Sequence, residues 1–281
     1  MIKLTFLGTG GAFSDFRVNY HTNALLHTKQ GYVMIDCGPT APQALKELGI
    51  KPWEIRSIIL THLHGDHIGG IEQLAWERFY LGEGTPGFLD TKIYAAPEVL
   101  QPLRGILEPC LDEYTRSDGS CRHGGYDRLI TELPLYSEMM EAFTSPEGLM
   151  FRLHLTKVSH VEDVNNGVNK PSYGLIIQQG NSRIFYSGDC IFDASTFVQD
   201  SSVIFHDCSF GAKYPGTVHT HYSALRDLPA DIRKKIVLMH YTAVPKDISP
   251  EQEGFRVAKR FDTWMIDDSG ISMQPFAKPL L

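Results

Sequence analysis

Residues 61–70 read THLHGDHIGG, which sets three imidazoles and a carboxylate (His62, His64, Asp66 and His67) within six positions of one another, directly after the apolar run Ile58, Ile59, Leu60. A strand that ends there delivers all four side chains into one small volume at its tip. Successive strand residues point to opposite faces, so His62 and His64 share a face. Gly65 carries no side chain and lets the backbone turn, which aims Asp66 and His67 at a second point nearby. Neutral imidazole and carboxylate are zinc ligands, and two ligand pairs with different aims suggest two metals. The competing account is a polar loop with accidental histidines. Histidine is too uncommon for three of them and an acid to meet often at this spacing.

The spacing H-x-H-x-D-H, preceded by an apolar strand and followed by Gly-Gly and a helix, resembles the metallo-β-lactamase superfamily of metallohydrolases. That family draws its remaining ligands from separate strand ends in fixed order. Here VMIDCG supplies Asp36, the acid that in the family orients the metal site from behind its ligands, while KVSH supplies His160, IFYSGDC supplies Asp189 and IVLMHYT supplies His240. Each follows a β-branched or aromatic run, the signature of a buried strand. Singly each is weak, because a lone histidine after a strand is more often a hydrogen-bonded structural residue. Jointly and in order they are strong, and they span most of the chain.

At 281 residues and 42% hydrophobic the chain can bury a sizeable core without being split in two. The expectation is one domain over 1–281 with an insert around 105–149. The 25 glycines and 16 prolines, scattered between short apolar runs, suit many strands joined by tight loops. A formal charge of −7 argues against a broad basic surface for nucleic acid. The five cysteines are odd in number and form no C-x-x-C pair, so a disulfide framework is not expected and a reducing, cytoplasmic compartment is. MIKLTFLGTGG reads as a strand running into a glycine turn rather than a signal peptide, and no apolar run approaches membrane-spanning length.

Two similar halves follow from the pattern of runs. Strands are expected at 2–7, 23–27, 32–36 and 55–61, with helices near 41–48 and 69–81. In the second half, strands are expected at 151–158, 175–179, 183–187, 203–207 and 236–240, with helices near 194–198 and 251–260. Strands alternating with helices in this way suit an α/β architecture, the αββα sandwich of two mixed sheets flanked by helices that the resembled family adopts. The stretch 105–149 is turn-rich and is expected to cap the site or pack on a partner. Its His123, between polar residues and Gly124, reads as a solvated turn residue rather than a ligand.

The resemblance implies a ligand set. His62, His64 and His160 would hold one zinc, Asp66, His67 and His240 a second, and Asp189 would bridge them. Two cations about 3.5–4 Å apart that share a water supply hydroxide at neutral pH. The same ions stabilise charge growing on an attacked oxygen. Asp66 is assigned a catalytic role beside its role as a ligand. Five histidines and two carboxylates carry a formal charge near −2, so a dizinc centre stays cationic and favours anionic substrates. Manganese or iron suits the same ligands.

The branch is read from what surrounds that set. Secreted β-lactamases of the superfamily commonly carry cysteine where Asp189 stands. Glyoxalase II-like thioesterases append a helical substrate domain, whereas only a short tail follows His240 here. FLGTGGAF and MIDCG look instead like the phosphodiesterase branch that includes ribonuclease Z and small cyclic-nucleotide phosphodiesterases. HDCSF followed by VHTHYSAL is similar to the acid and histidine motif thought to protonate the leaving oxygen in ribonuclease Z-like enzymes. By that resemblance Asp207 orients a histidine, and His219 or His221 is the general acid, with His219 favoured. The bland alternative is that His221 caps the helix starting near Tyr222. The ribonuclease Z signature after the first glycine turn is replaced by SDFRVNYHTN, and no glycine-rich basic arm for tRNA is evident. Those departures favour a small anionic phosphodiester over RNA, and the anti-Pycsar enzymes, which hydrolyse cyclic mononucleotides on this fold, are a close match. The expectation is a binuclear zinc phosphodiesterase working through metal-activated hydroxide, as a homodimer in which a neighbouring loop completes the site. A thioesterase or lactonase is the rival enzyme, and a non-catalytic metal-bearing ligand-binding protein is the rival of another class.

Overall fold

Alternation along the central strands explains why two sheets stack. In Val203–Asp207, Val203 and Phe205 enter the core shared by both sheets, while Ile204 joins an apolar cluster on the outer face. Ile236–Met239 divides the same way, with Val237 and Met239 inward and Ile236 and Leu238 outward. A strand buried on both faces therefore reads as a continuous apolar run. The computed structural model describes residues 1–82, 90–115, 118–136, 141–163, 168–195, 197–213 and 217–275, with backbone alone at 162–163 and 168–169.

One sheet has eight strands in the order Gly270–Gln274, Thr263–Asp267, Ile2–Gly8, Asn23–Thr28, Gly31–Ile35, Ile55–Ile59, Thr91–Ala95 and Ile130–Pro134. The other has seven, ordered Arg256–Val257, Ile236–Met239, Val203–Asp207, Ser182–Tyr186, Val168–Gln179, Met150–Asp163 and Glu141–Thr144. In chain order the first sheet passes from three antiparallel strands to parallel ones and the second from four, so the two halves seen in the sequence lie mainly in different sheets, with Thr263–Asp267 and Gly270–Gln274 returning to the first. Phe6 meets Phe205 and Tyr186 of the facing sheet at ring-centroid separations of 5.4 and 6.5 Å. Outside the second sheet, Tyr222, Leu225 and Ile232 from the short helices Tyr222–Arg226 and Ala230–Arg233 cover Ile204 and Leu238. The helices Ala41–Glu47, Ile71–Leu81 and Pro97–Leu111 bury their apolar faces in the main core. This is the expected αββα sandwich. Among the described residues no helix is long and apolar enough to cross a membrane.

The topology places the site. Gly31–Ile35 and Ile55–Ile59 run parallel in one sheet, and Ser182–Tyr186, Val203–Asp207 and Ile236–Met239 run parallel in the other. Parallel strands share one C-terminal edge, where ligands of open α/β sheets collect. Asp36, His62, Asp189, Asp207 and His240 all stand at or just beyond those ends.

Within the stretch 105–149, Ile130–Pro134 pairs with Thr91–Ala95 at the edge of the first sheet and Glu141–Thr144 pairs with Met150–Asp163 at the edge of the second. Three sequence expectations need correcting. The helix expected near 251–260 is a turn followed by the strand Arg256–Val257. Phe255 N donates to Pro250 O, and Gly254 at φ 95 takes a left-handed step that a helix cannot continue. Near 194–198 the described residues form a turn in which Phe197 N donates to Asp193 O. The helix expected from Gly69 begins at Ile71, and Gly65–Ile68 forms its own short turn of helix.

Candidate metal centre

Asp36, Gly188 and His240 leave their strands through left-handed backbone, at φ 58, 60 and 60 respectively. That region costs an L-residue on the order of 1–2 kcal/mol, and it persists where surrounding contacts hold it. The step turns each chain sharply at the strand end and aims Asp36, Asp189 and His240 across the cleft between the sheets. At Gly188 a Cβ would lie 2.6 Å from the Tyr173 carbonyl oxygen, so the step into Asp189 requires glycine.

His62 and His64 extend from the strand Ile55–Ile59, and the short helix Gly65–Ile68 then turns Asp66 and His67 inward. Gly65 is not what permits this. Its φ is not left-handed and a Cβ there would meet nothing within 4 Å. The glycine that matters is Gly38, where a Cβ would overlap the Asp66 carbonyl oxygen. Cys37 N donates to His67 O at 2.7 Å, Gly70 N donates to Cys37 O at 2.8 Å, and Gly38 N donates to Asn23 Oδ1 at 2.9 Å. The loop after Asp36 and the histidine turn are thus stitched together.

The side chains converge as two trios around one carboxylate. His62, His64, His160 and Asp189 offer donor atoms within 4.8 Å of one another, and so do Asp66, His67, Asp189 and His240. Asp189 Oδ2 lies 3.7 Å from His62 Nε2, 3.9 Å from His160 Nε2 and 3.3 Å from His67 Nε2, while Oδ1 lies 3.3 Å from His240 Nε2. Asp66 Oδ2 is 3.4 Å from His67 Nε2 and 3.3 Å from His240 Nε2.

A layer behind these rings fixes which nitrogen faces inward. His67 Nδ1 donates to Asp36 Oδ2 at 2.8 Å, and His160 Nδ1 donates to the Val218 carbonyl at 2.7 Å. Thr61 gives both its N–H and its hydroxyl to Asp36, so its oxygen accepts from His62 Nδ1 at 3.0 Å. Holding the far nitrogen of a ligating histidine in this way orients the ring and sharpens its donor. Each inward Nε2 is then a lone pair turned toward carboxylate oxygens. The Nε2 atoms of His62 and His67 are buried with no hydrogen-bond partner among the described residues. Lone pairs and carboxylates at 3.3–3.9 Å repel unless positive charge lies between them. The titration tendencies say the same. Burial opposes charge on His240, yet Asp189, Asp207 and Asp66 push it up to about 10. Burial likewise opposes charge on His67, and Asp189 and Asp36 hold it well above the ordinary histidine value. Burial would raise Asp189, but His240, His67 and His62 keep it well below the ordinary carboxylate range. The donor set of buried imidazoles and carboxylates fits a divalent metal cation.

The two histidines weighed as proton donors separate cleanly. His219 Nδ1 donates to Asp207 Oδ2 at 2.9 Å, and its ring stands 4.9 Å from that of His240 and 5.1 Å from that of His160. It borders the metal centre and is partly open to the cleft. His221 turns away, accepting from Ser223 N at 3.2 Å as the N-cap of Tyr222–Arg226 and donating from Nε2 to Gly211 O at 3.0 Å. The capping account therefore holds for His221. His123 is exposed and bonds Asp112 at 3.0 Å, apart from every ligand group. Thr61, Gly38 and Asn23 were missed by the sequence reading. Only Thr61, immediately before the histidine motif, carried a readable signal.

Comparison with known proteins agrees with this geometry. The metallo-β-lactamase fold protein YhfI from Bacillus subtilis superposes with a TM-score of 0.66 at 18% identity, covering 94% of this chain and 98% of that one. Human tRNase Z, short form, superposes with a TM-score of 0.61 at 19% identity, covering 94% and 99%. An Anti-Pycsar protein Apyc1 from Paenibacillus sp. (strain J14) is 34% identical over 264 residues, which is 92% of this chain and 93% of that protein. The family model for Anti-Pycsar protein Apyc1 matches residues 2–264, and the chain therefore belongs to that family within the metallo-β-lactamase fold.

Proposed function

We propose that this chain is a binuclear zinc-dependent phosphodiesterase whose substrate is a cyclic mononucleotide. The observation that carries the reading is the placing of His219, held by Asp207, against a double trio of donors that shares Asp189. His62, His64 and His160 would hold one ion and Asp66, His67 and His240 the other, with Asp189 between them and Asp36 steadying His67 from behind. Bound there, such ions supply an activated water and positive charge against phosphoryl oxygens, which suits an anionic ester.

The chain's own groups do the rest. Asp66 and Asp189 turn carboxylate oxygens toward His67 and His240, and Asp66 would add a catalytic role to its role as a ligand. His219 has its Nδ1 proton committed to Asp207, so Nε2 is the atom that carries a proton to a departing ribose oxygen. Burial lowers the proton affinity of His219 and Asp207 raises it, with a net rise that favours the acid form. A ribose alkoxide leaves poorly, and a placed imidazolium is worth about 10²–10⁴ in rate. The family name, Anti-Pycsar, supports a cyclic nucleotide over tRNA, and so does the net charge of −7.

The deciding experiment is hydrolysis by metal-loaded protein of a cyclic mononucleotide, a thioester, a lactone and a short RNA. Cyclic nucleotide turnover should exceed the others by orders of magnitude. Thioester turnover in excess of cyclic nucleotide turnover would replace this reading with a glyoxalase II-like one.

A further inference from the structure

His62, His67 and His160 each have the ring nitrogen that faces away from the ligand cluster tied by a hydrogen bond, and His240 does not. Its Nδ1 is buried with no hydrogen-bond partner among the described residues, and Asp207 Oδ1 stands 3.5 Å away, beyond ordinary hydrogen-bond length. What lies against His240 is the turn-rich segment 9–22, which holds most of SDFRVNYHTN, the stretch in which the sequence departs from ribonuclease Z. Thr9 O accepts from Tyr241 N at 3.1 Å, and Asn19 pins Thr9 in turn, its Nδ2 donating to Thr9 Oγ1 at 3.0 Å. At Gly11 a Cβ would stand 3.4 Å from His240 Cε1 and 3.5 Å from Nδ1, so the backbone there packs directly on the imidazole.

The segment has little core of its own to hold it there. Phe13 is 95% exposed, and Arg17 and Val18 are exposed as well. The group that ties it down beside Gly11 is His21, a buried ring set edge to face with Phe16 at 4.8 Å, whose Nε2 donates to Ala12 O at 3.3 Å. Packing does not explain an imidazole at this position. Its Nδ1 is buried with no hydrogen-bond partner among the described residues, a penalty that a hydrocarbon ring would not carry. The ring also joins none of the three clusters of ligand atoms. We propose that His21 is a positioning residue for the metal centre. By holding Ala12 it keeps Gly11 on the His240 ring, and so sets the aim of His240 Nε2 toward the ion shared with Asp66 and His67. The assignment rests on the binuclear reading above and adds a residue that acts on one of the two ions only.

The test reads metal affinity, not turnover. Zinc binding to the full chain is measured by competition with a chromophoric chelator in two backgrounds that each spoil one trio. His64→Ala leaves the ion of Asp66, His67 and His240 as the tight one, and His240→Ala leaves the ion of His62, His64 and His160. In the first background His21→Phe should lower zinc affinity by about 10–100-fold, the usual worth of a group that orients a ligand from behind. In the second background it should leave the affinity unchanged. His21→Gln, whose amide N–H reaches to where Nε2 stands, should restore the first affinity. Phe16→Ala loosens the same ring from a half-exposed position and should give a smaller loss in the first background alone, which decides the matter if His21→Phe does not fold. Equal losses in both backgrounds, no loss in the first, or no recovery with His21→Gln overturn the assignment. Failure of the binuclear reading is seen separately, as a single zinc ion bound by wild type. The role of His21 is then decided by whether His21→Phe weakens that one ion and His21→Gln restores it.

Discussion

Asp207 holds His219 at 2.9 Å through Oδ2, and the same carboxylate turns Oδ1 to within 3.5 Å of His240 Nδ1. One buried acid thus stands behind both the proposed proton donor and a proposed metal ligand, with Cys190 N donating to it as well at 3.0 Å. Its two oxygens face different tasks, and a substitution that keeps the shape separates them from loss of the group.

His219→Ala should keep both metals and lower hydrolysis of a cyclic phosphodiester by about 10²–10⁴. An ester with a nitrophenolate leaving group needs little protonation and should suffer far less. Asp207→Asn should show the same pattern more weakly, since the imidazole is misoriented but present. Steady-state kinetics on both substrates, with elemental analysis of each variant, reads the difference. Equal losses on both substrates would make His219 a substrate-positioning group, and loss of metal would make it a ligand.

His221→Ala should leave turnover near wild type on both esters. It removes the acceptor for Ser223 N at the start of Tyr222–Arg226, so the cost falls on stability, about 1 kcal/mol by the usual worth of a cap. Denaturant unfolding measures it. A large fall in turnover with unchanged stability would restore His221 as the proton donor.

Asp189 is the one carboxylate common to both trios. Purified protein should therefore carry close to two transition-metal ions per chain, and Asp189→Ala should lose most of one of them and nearly all activity. Elemental analysis that finds a single ion in active protein, unchanged by the substitution, would end the binuclear model.

His27 gives a pH dependence away from the metal centre. Burial, with a smaller contribution from Lys3, holds its ring down at about 4, and its Nε2 lies 2.8 Å from Thr5 Oγ1. The unfolded chain protonates this group near the ordinary value of about 6.5, so it binds more protons than the folded chain between the two values. Its stabilising contribution is full above about 6.5 and is lost as pH falls toward about 4. The loss is at most about 3 kcal/mol and is reduced by the ring's partial contact with solvent. Urea unfolding from pH 7 to 4 should show a shallower decline in His27→Gln than in wild type. Parallel curves would remove His27 as the cause.

The parts of this fold written in local pattern were legible. The strands that end in Asp36, Asp189 and His240 are apolar runs with a polar terminus, and a carboxylate or imidazole after such a run has few other uses. What stayed hidden depends on contacts between distant segments. The helix Pro97–Leu111 contains Pro102, Gly105 and Pro109, which read as breakers, and it forms because Val99, Leu103, Leu107 and Leu111 are buried against the sheet. Glu141–Thr144 and Arg256–Val257 are short edge strands fixed by their neighbours, not by propensity. The sequence motif already favoured His219 over His221, but the contacts that separate them, His219 on Asp207 and His221 on Ser223 and Gly211, are made only in the folded chain. Gly65 was singled out because it lies inside the motif, whereas the constrained glycine is twenty-seven positions earlier at Gly38 and is revealed only by the approach of the Asp66 carbonyl.

That last contrast can be tested directly with two substitutions of identical chemistry. At Gly38 an added methyl group overlaps backbone, the Asp66 carbonyl, which no side-chain rotation can clear, and also crowds Asn23 Oδ1 at 3.2 Å. Gly38→Ala should therefore push the turn carrying Asp66 and His67 outward, at a cost of about 1–3 kcal/mol, the usual range for overpacking. The ion held by Asp66, His67 and His240 should suffer more than the one held by His62, His64 and His160. At Gly65 the same methyl group meets open space within a helical turn, and φ is not left-handed. Gly65→Ala should leave metal content unchanged and stabilise the protein by about 0.4–1 kcal/mol through the unfolded chain. Thermal unfolding and metal analysis of both variants settle the matter. If Gly65→Ala were the one to lose metal, the turn would depend on freedom at Gly65, as the motif alone suggests, and the packing of Asp66 against Gly38 would not be what sets the second trio.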